Sequence, residues 1–193
     1  RHLAANQLPT IFGQHLNVLA GLDVVQVNGG RGQSCSDRGD RFKQITAPEF
    51  ARAFNIFRTQ VHNPDALKAF LAWGNYVLSA RNSLTERQRE LAILRTGYLC
   101  RAGYEWAQHA VIGQRAGITA AELAAIKTGP NADTWDSLDA AILRACDELV
   151  GNHFIEPATW TALAPLGDTG RVDLIYGIAA GVVLLTGLLR TWL

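Results

Sequence analysis

The chain has 193 residues, 48% of them apolar, with 18 Lys and Arg against 17 Asp and Glu and a formal net charge of +1. That length and apolar content suit one domain carrying an extension. The even charge balance excludes the basic excess or stripe of a nucleic-acid protein, and no stretch interleaves aromatics with Lys and Arg as a single-strand groove would.

Residues 1–45 form a segment of their own. Leu16 to Val27 is apolar without clean periodicity, and Gly29 to Asp40 mixes glycine, serine and charge in the manner of a loop or linker. Its glycines match neither a Walker loop nor a dinucleotide fingerprint. Residues 46–193 are expected to form a helical domain. Pro48 sits in a first turn, and Phe50, Phe54, Phe57 and Val61 recur at helical steps. Asn63-Pro64 ends that helix, and Ala66, Leu67, Phe70, Leu71, Tyr76 and Leu78 line the next. Ser83-Leu84-Thr85-Glu86 reads as a capping box that starts a helix through Glu90, Leu94 and Tyr98. A break at Ala102-Gly103 leads to a helix ending at Ala116, with Gly117 just past its end. Thr119 and Glu122 form a second capping box, and Gly129-Pro130 stops that short helix. Leu138 to Val150 is amphipathic, with Leu138, Ala141, Ile142, Ala145 and Leu149 inward. Pro157 to Leu163 is short, and one last helix runs from Asp168 to Leu193. No strand is expected after residue 45, so the fold class is all-α, a helical bundle. The 16 uncharged residues Leu174 to Leu189 fall short of the roughly 20 that a membrane span needs and are punctuated by glycine, so a buried helix is expected there.

Three cysteines, Cys35, Cys100 and Cys146, are odd in number and far apart. They offer no zinc knuckle, no CxxC centre and no secreted disulfide framework, and the expected location is a reducing cytoplasm. The opening residues Arg1 to Gln7 lack the apolar run of a secretory signal.

Chemistry concentrates between Glu90 and His109. Glu105 and His109 are four apart and share one helix face, where a carboxylate fixes the tautomer of an imidazole and raises its basicity. Glu90 on the preceding helix meets the same face if the two helices form a hairpin. Such a pair also occurs on solvated helices without any role; Tyr104 and Trp106 are more often packing groups than site groups, and Arg95 equally suits a solvated charge or an interface partner.

The order Glu90, Ala102, Glu105, His109 resembles the Glu-x11-Cys-x2-Cys-x3-His pattern of the alkylhydroperoxidase D and carboxymuconolactone decarboxylase superfamily, with Ala102 and Glu105 at the two cysteine positions. Tyr104 to His109, Gly113, Ala116 to Thr119, Asn55 to Arg58, Glu90 to Arg95 and Leu138 to Ala141 look like its cysteine-free branch, and the resemblance covers about residues 47–190. It implies an alkylhydroperoxidase D-like helical protomer that assembles into a homo-oligomer, a trimer or hexamer, with sites near subunit interfaces. It further implies a cofactor-free lyase of aromatic catabolism, one that decarboxylates a small carboxylated lactone or ring-cleavage acid without a metal. His109 would donate the proton or stabilise charge, Glu105 would orient it or act as the acid, and Glu90 would be a second carboxylate. Arg95, Tyr104 and Trp106 would bind the carboxylate substrate. A thiol peroxidase is the alternative that the missing cysteine pair opposes, with Cys100 read as a small buried residue. A non-enzymatic oligomeric binding protein is the other. Neither nucleic acid nor membrane is an expected partner.

Overall fold

A computed structural model describes residue 60 and residues 62–179, the last two in backbone only. The segment 1–45, its boundary with the helical domain, Cys35, the stripe Phe50 to Val61 apart from Gln60, and the apolar run beyond Ala179 lie outside these residues. The described residues divide into two compact units, one up to Ser79 and one from Ala80.

In the first unit, helix α1 spans Pro64–Leu78. Asn63 caps it: its Oδ1 accepts the Ala66 N–H at 3.1 Å, and Pro64 fills the first turn, where its missing N–H costs nothing. Leu67 and Val77 are buried. The Asn63-Pro64 break expected from sequence is therefore the start of this helix.

The second unit holds six further α-helices among the described residues: α2 Glu86–Leu99, α3 Gly103–Arg115, α4 Ala120–Thr128, α5 Ser137–Asn152, α6 Pro157–Ala162 and α7 Gly167–Asp173. A 3₁₀ turn at Ala164–Leu166 precedes α7 and a π-helical stretch at Leu174–Ala179 follows it. No strand occurs among the described residues, and none of their helices is long and apolar enough to cross a membrane. The long final helix expected from Asp168 is thus two pieces as far as Ala179, α-helical and then π-helical.

Helix α2 is central. It packs on α3, α4, α5 and the π-helical stretch, and every residue from Arg89 to Gly97 is buried. A helix enclosed on all sides is ordinarily apolar all round, yet this one carries Arg89, Glu90, Arg95 and Thr96 into the interior. Its own Leu91 and Leu94, and around it Ile118, Ile126, Ile142, Leu143, Cys146, Leu163 and Leu174, are almost completely enclosed, each large aliphatic contributing about 1.5–3 kcal/mol of burial. The inward face of α5 is Ala141, Ile142, Leu143, Ala145 and Cys146, while Leu138 and Leu149 are half-buried. It is rotated from the sequence expectation because α5 packs on both α2 and α6.

The start of α2 corrects the sequence reading by two residues. Thr85, not Ser83, is the N-cap: its hydroxyl accepts the Gln88 N–H at 3.2 Å, and Gln88 Oε1 accepts the Thr85 N–H at 3.0 Å. The stretch contains two overlapping capping frames, and tertiary structure selects between them. Ser83 gives its N–H and hydroxyl to Asp173 Oδ2, at 2.8 and 2.6 Å, so it is held by α7 instead. The Thr119–Glu122 box forms as expected, and Gly129 ends α4 at φ +104.

Helices α2 and α3 both end in a Schellman turn. In the second, Gly117 takes the left-handed position at φ +94 while Ile118 N–H reaches Gly113 O at 2.8 Å. In the first, Ala102 N–H reaches Gly97 O at 2.8 Å and Arg101 N–H reaches Tyr98 O at 3.0 Å, but the left-handed residue is Arg101 at φ 55. A side chain there costs about 1–2 kcal/mol. Arg101 is exposed, so Arg101→Gly is expected to raise stability by up to about 1 kcal/mol, the gain being trimmed by glycine's greater freedom in the unfolded chain. A urea midpoint that falls in this variant would show that the arginine side chain is itself stabilising.

Candidate active site

The α2–α3 hairpin brings the expected carboxylates and imidazole together, in an arrangement that spacing alone does not give. Glu90, Leu94 and Gly97 lie on one face of α2; Glu105, His109 and Gly113 lie on one face of α3. The two glycines let these faces meet. A Cβ on Gly97 would stand 3.7 Å from Glu105 Cβ, and one on Gly113 would stand 3.1 Å from Ile118 Cδ1, 3.2 Å from Leu94 Cδ1 and 3.6 Å from Glu90 Cβ. The last glycine thus sets how near α3 can come to Glu90.

His109 Nδ1 lies 2.8 Å from Glu90 Oε2, a charge-assisted hydrogen bond across the hairpin. His109 Nε2 lies 3.6 Å from Glu105 Oε2, an electrostatic contact too long for a hydrogen bond. Glu90, expected as a second carboxylate, makes the hydrogen bond to the ring, and Glu105, the helical i,i+4 neighbour, faces its other nitrogen. Side-chain exposure is 5% for Glu90, 8% for Glu105 and 15% for His109.

Burial opposes charge on His109, but the charge of Glu90, its hydrogen bond and the charge of Glu105 outweigh it, so the imidazolium persists above its ordinary value of 6.5. Burial pushes the Glu105 carboxyl above its usual range; the imidazolium pulls it down and Glu90 pushes it further up. Both groups therefore hold protons more tightly folded than unfolded. Their contribution to stability is present at acid pH and is lost as pH rises through the raised values. The stability difference between wild type and His109→Ala is accordingly expected to shrink from pH 5 to pH 9 in urea titrations; a difference that grows with pH would contradict the charged triad. The carboxylates address opposite ring nitrogens, and among the described residues no group of three His, Cys, Asp or Glu is arranged to hold a metal ion.

The three residues expected to bind substrate behave differently. Arg95 is a structural tie: Nε and Nη2 meet Asp147 Oδ1 and Oδ2 at 2.5 and 2.9 Å, and Nη1 meets the carbonyls of Ile126 and Lys127 at 2.7 and 3.1 Å. The guanidinium sits where the C-terminal dipole of α4 favours a cation, and it packs so tightly on Gly129 that a Cβ there would approach Nη2 to 2.7 Å. Four of its five N–H donors are thus committed to the fold, which leaves one for the grip on a substrate carboxylate expected from sequence. Trp106 stands edge-on to Tyr98 with centroids 6.0 Å apart, and Lys127 Nζ lies 4.9 Å over its ring. Tyr104 is half-buried, and burial followed by the Glu105 charge pushes its hydroxyl up to about 12, so it stays protonated. Asp147, the partner of Arg95, and the cation–π partner Lys127 carry no local sequence signal, because both come from other helices.

Neither described thiol suits nucleophilic work. Cys100 caps the end of α2 and is half-buried rather than enclosed, and burial raises its pKa. Cys146 is the enclosed one, and burial pushes it up to about 12. The positions of a cysteine pair are Ala102 and Glu105, so the paired thiols of peroxidase chemistry have no source at those positions.

Neither curated proteins nor solved structures give a match. The model of the carboxymuconolactone decarboxylase family matches residues 64–146, a span that contains Glu90, Glu105 and His109 together with both hairpin glycines. It is to the carboxymuconolactone decarboxylase family that residues 64–146 of this chain are similar.

Proposed function

We propose that the Glu90–His109–Glu105 group is an acid–base site and that the protein decarboxylates a small carboxylated lactone or aromatic ring-cleavage acid. The observation that carries this reading is the asymmetry at His109: Nδ1 is fixed by Glu90 at 2.8 Å, while Nε2 stands 3.6 Å from Glu105 with no closed hydrogen bond between them. In the reaction the bond to the carboxylate carbon breaks and carbon dioxide leaves. The electron pair moves into the ring as an extended enolate, and one proton must reach carbon. His109 supplies that proton from Nε2, Glu90 holds the ring in place through Nδ1, and Glu105, whose own carboxyl is raised by burial, returns the proton to the imidazole or bears on the developing charge. Assembly into a homo-oligomer belongs to the same reading.

Thermal-shift screening against carboxylated lactones and ring-cleavage acids tests it. Binding to the folded state raises the midpoint, so an acid that stabilises wild type and not His109→Ala is expected. Equal stabilisation of both proteins would remove His109 from the site, and no stabilisation by any acid would favour a non-enzymatic binding protein. Alkylation of Cys100 is expected to leave the response to the acid intact.

A further inference from the structure

A second basic group lies on α2 beside the triad and is not used by it. Arg89 is 7% exposed, yet its one hydrogen bond among the described residues runs from Nη1 to Leu84 O at 3.2 Å. Its Nε is shielded from solvent and has no partner. Asn82, 5% exposed, turns Oδ1 to the Leu84 N–H at 3.0 Å, which leaves Nδ2 pointing away; that nitrogen is also buried without a partner. Two unmet donors are thus anchored on the backbone of one residue, Leu84, from its N–H side and its carbonyl side. The carboxylate next to Arg89 in sequence, Glu90, is engaged with His109, and Asp173 accepts from Ser83.

Buried guanidinium groups are ordinarily paired, because an uncompensated charge in the interior is costly. Here Nε, one prong of the fork that fits a planar carboxylate with two parallel hydrogen bonds, is buried without an acceptor, the guanidinium has no carboxylate partner among the described residues, and Asn82 Nδ2, held to the same Leu84, is a second such donor. We infer that Arg89 and Asn82 form a binding site for a carboxylate group, separate from the Glu90–His109–Glu105 triad. The inference does not rest on the decarboxylase reading: any small organic acid, substrate or not, offers the group that this fork accepts.

The test is thermal unfolding of the full chain in a chloride-poor buffer with acetate, succinate or inorganic phosphate added, for wild type, Arg89→Met, Asn82→Leu and His109→Ala. Acetate or succinate is expected to raise the midpoint of wild type and His109→Ala and to leave that of Arg89→Met unchanged, with a reduced response in Asn82→Leu. Without added anion, Arg89→Met is expected to melt at or above the wild-type midpoint, since it removes a buried charge that lacks a counter-ion. Four results would overturn the inference: no rise in wild type with either carboxylate; a rise that survives in Arg89→Met; a rise that vanishes in His109→Ala, which would place the anion at the triad; or a response to phosphate alone, which would assign the donors to a different anion. Should Arg89→Met unfold, Arg89→Lys keeps the charge without the fork. It is then expected to fold with a weakened carboxylate response, and a full response there would equally overturn the assignment.

Discussion

Replacing His109 with glutamine is expected to lower turnover of a carboxylated lactone by roughly 10²–10⁴-fold, the usual worth of a positioned general acid, while the helices persist. Glutamine keeps a donor for the buried Glu90, so the variant separates loss of the titrating group from loss of packing. The pH profile gives a second view of the same site. His109 is a cation above its ordinary 6.5 because Glu90 and Glu105 outweigh burial. Activity that depends on the imidazolium therefore holds through neutral pH and declines where His109 loses its proton. In Glu90→Gln the strongest of those raising influences is gone and burial still works downward, so the alkaline limb is expected at lower pH. A limb that stays in place, or a His109→Gln enzyme within a few-fold of wild type, would take His109 out of the proton path.

How much of this was legible in the sequence depends on range. Asn63 and Pro64, Gly117, Gly129 and the Thr119–Glu122 box all act through neighbours within a few residues, so helix ends could be placed from them. Ser83 misled because Ser83-x-x-Glu86 and Thr85-x-x-Gln88 are both valid frames, and the choice was made by Asp173, 90 residues away. Arg101 gave no sign of a left-handed turn because it is not glycine. The triad was legible in membership but not in bonding. Glu105 and His109 share a face by helical spacing, whereas the hydrogen bond goes to Glu90 across the hairpin, at a distance set by what Gly113 and Gly97 leave out. Arg95 is expected at the substrate because a guanidinium in the resembling segment can grip a carboxylate; Asp147 and the end of α4, which engage it, are invisible to local spacing.

The second large effect concerns that tie. Asp147→Ala is expected to cost about 3–5 kcal/mol, the range for removing one partner of a buried pair. The decisive contrast is exposure: the side chain of Arg95 is 7% exposed and that of Asp147 is 30%. Losing Asp147 strands a charge that cannot reach water. Losing Arg95 leaves a carboxylate that can turn outward, though the Ile126 and Lys127 carbonyls forfeit their donor. Arg95→Met is therefore expected to be the milder of the two. Urea midpoints at constant slope measure both. A cost below about 1 kcal/mol for Asp147→Ala would class the pair with surface ion pairs and contradict the role given to Arg95 in joining α2, α4 and α5.

Proton donation by His109 is measured most directly by carbon dioxide release in deuterium oxide from carboxylated lactones, with the product examined for deuterium at the carbon that carried the carboxylate or at a position conjugated with it. Wild type is expected to release one carbon dioxide per deuterium incorporated, and His109→Gln to do so at least about 10²-fold more slowly. Release at equal rates from both proteins, or none from a folded wild-type protein across the acid series, would contradict it.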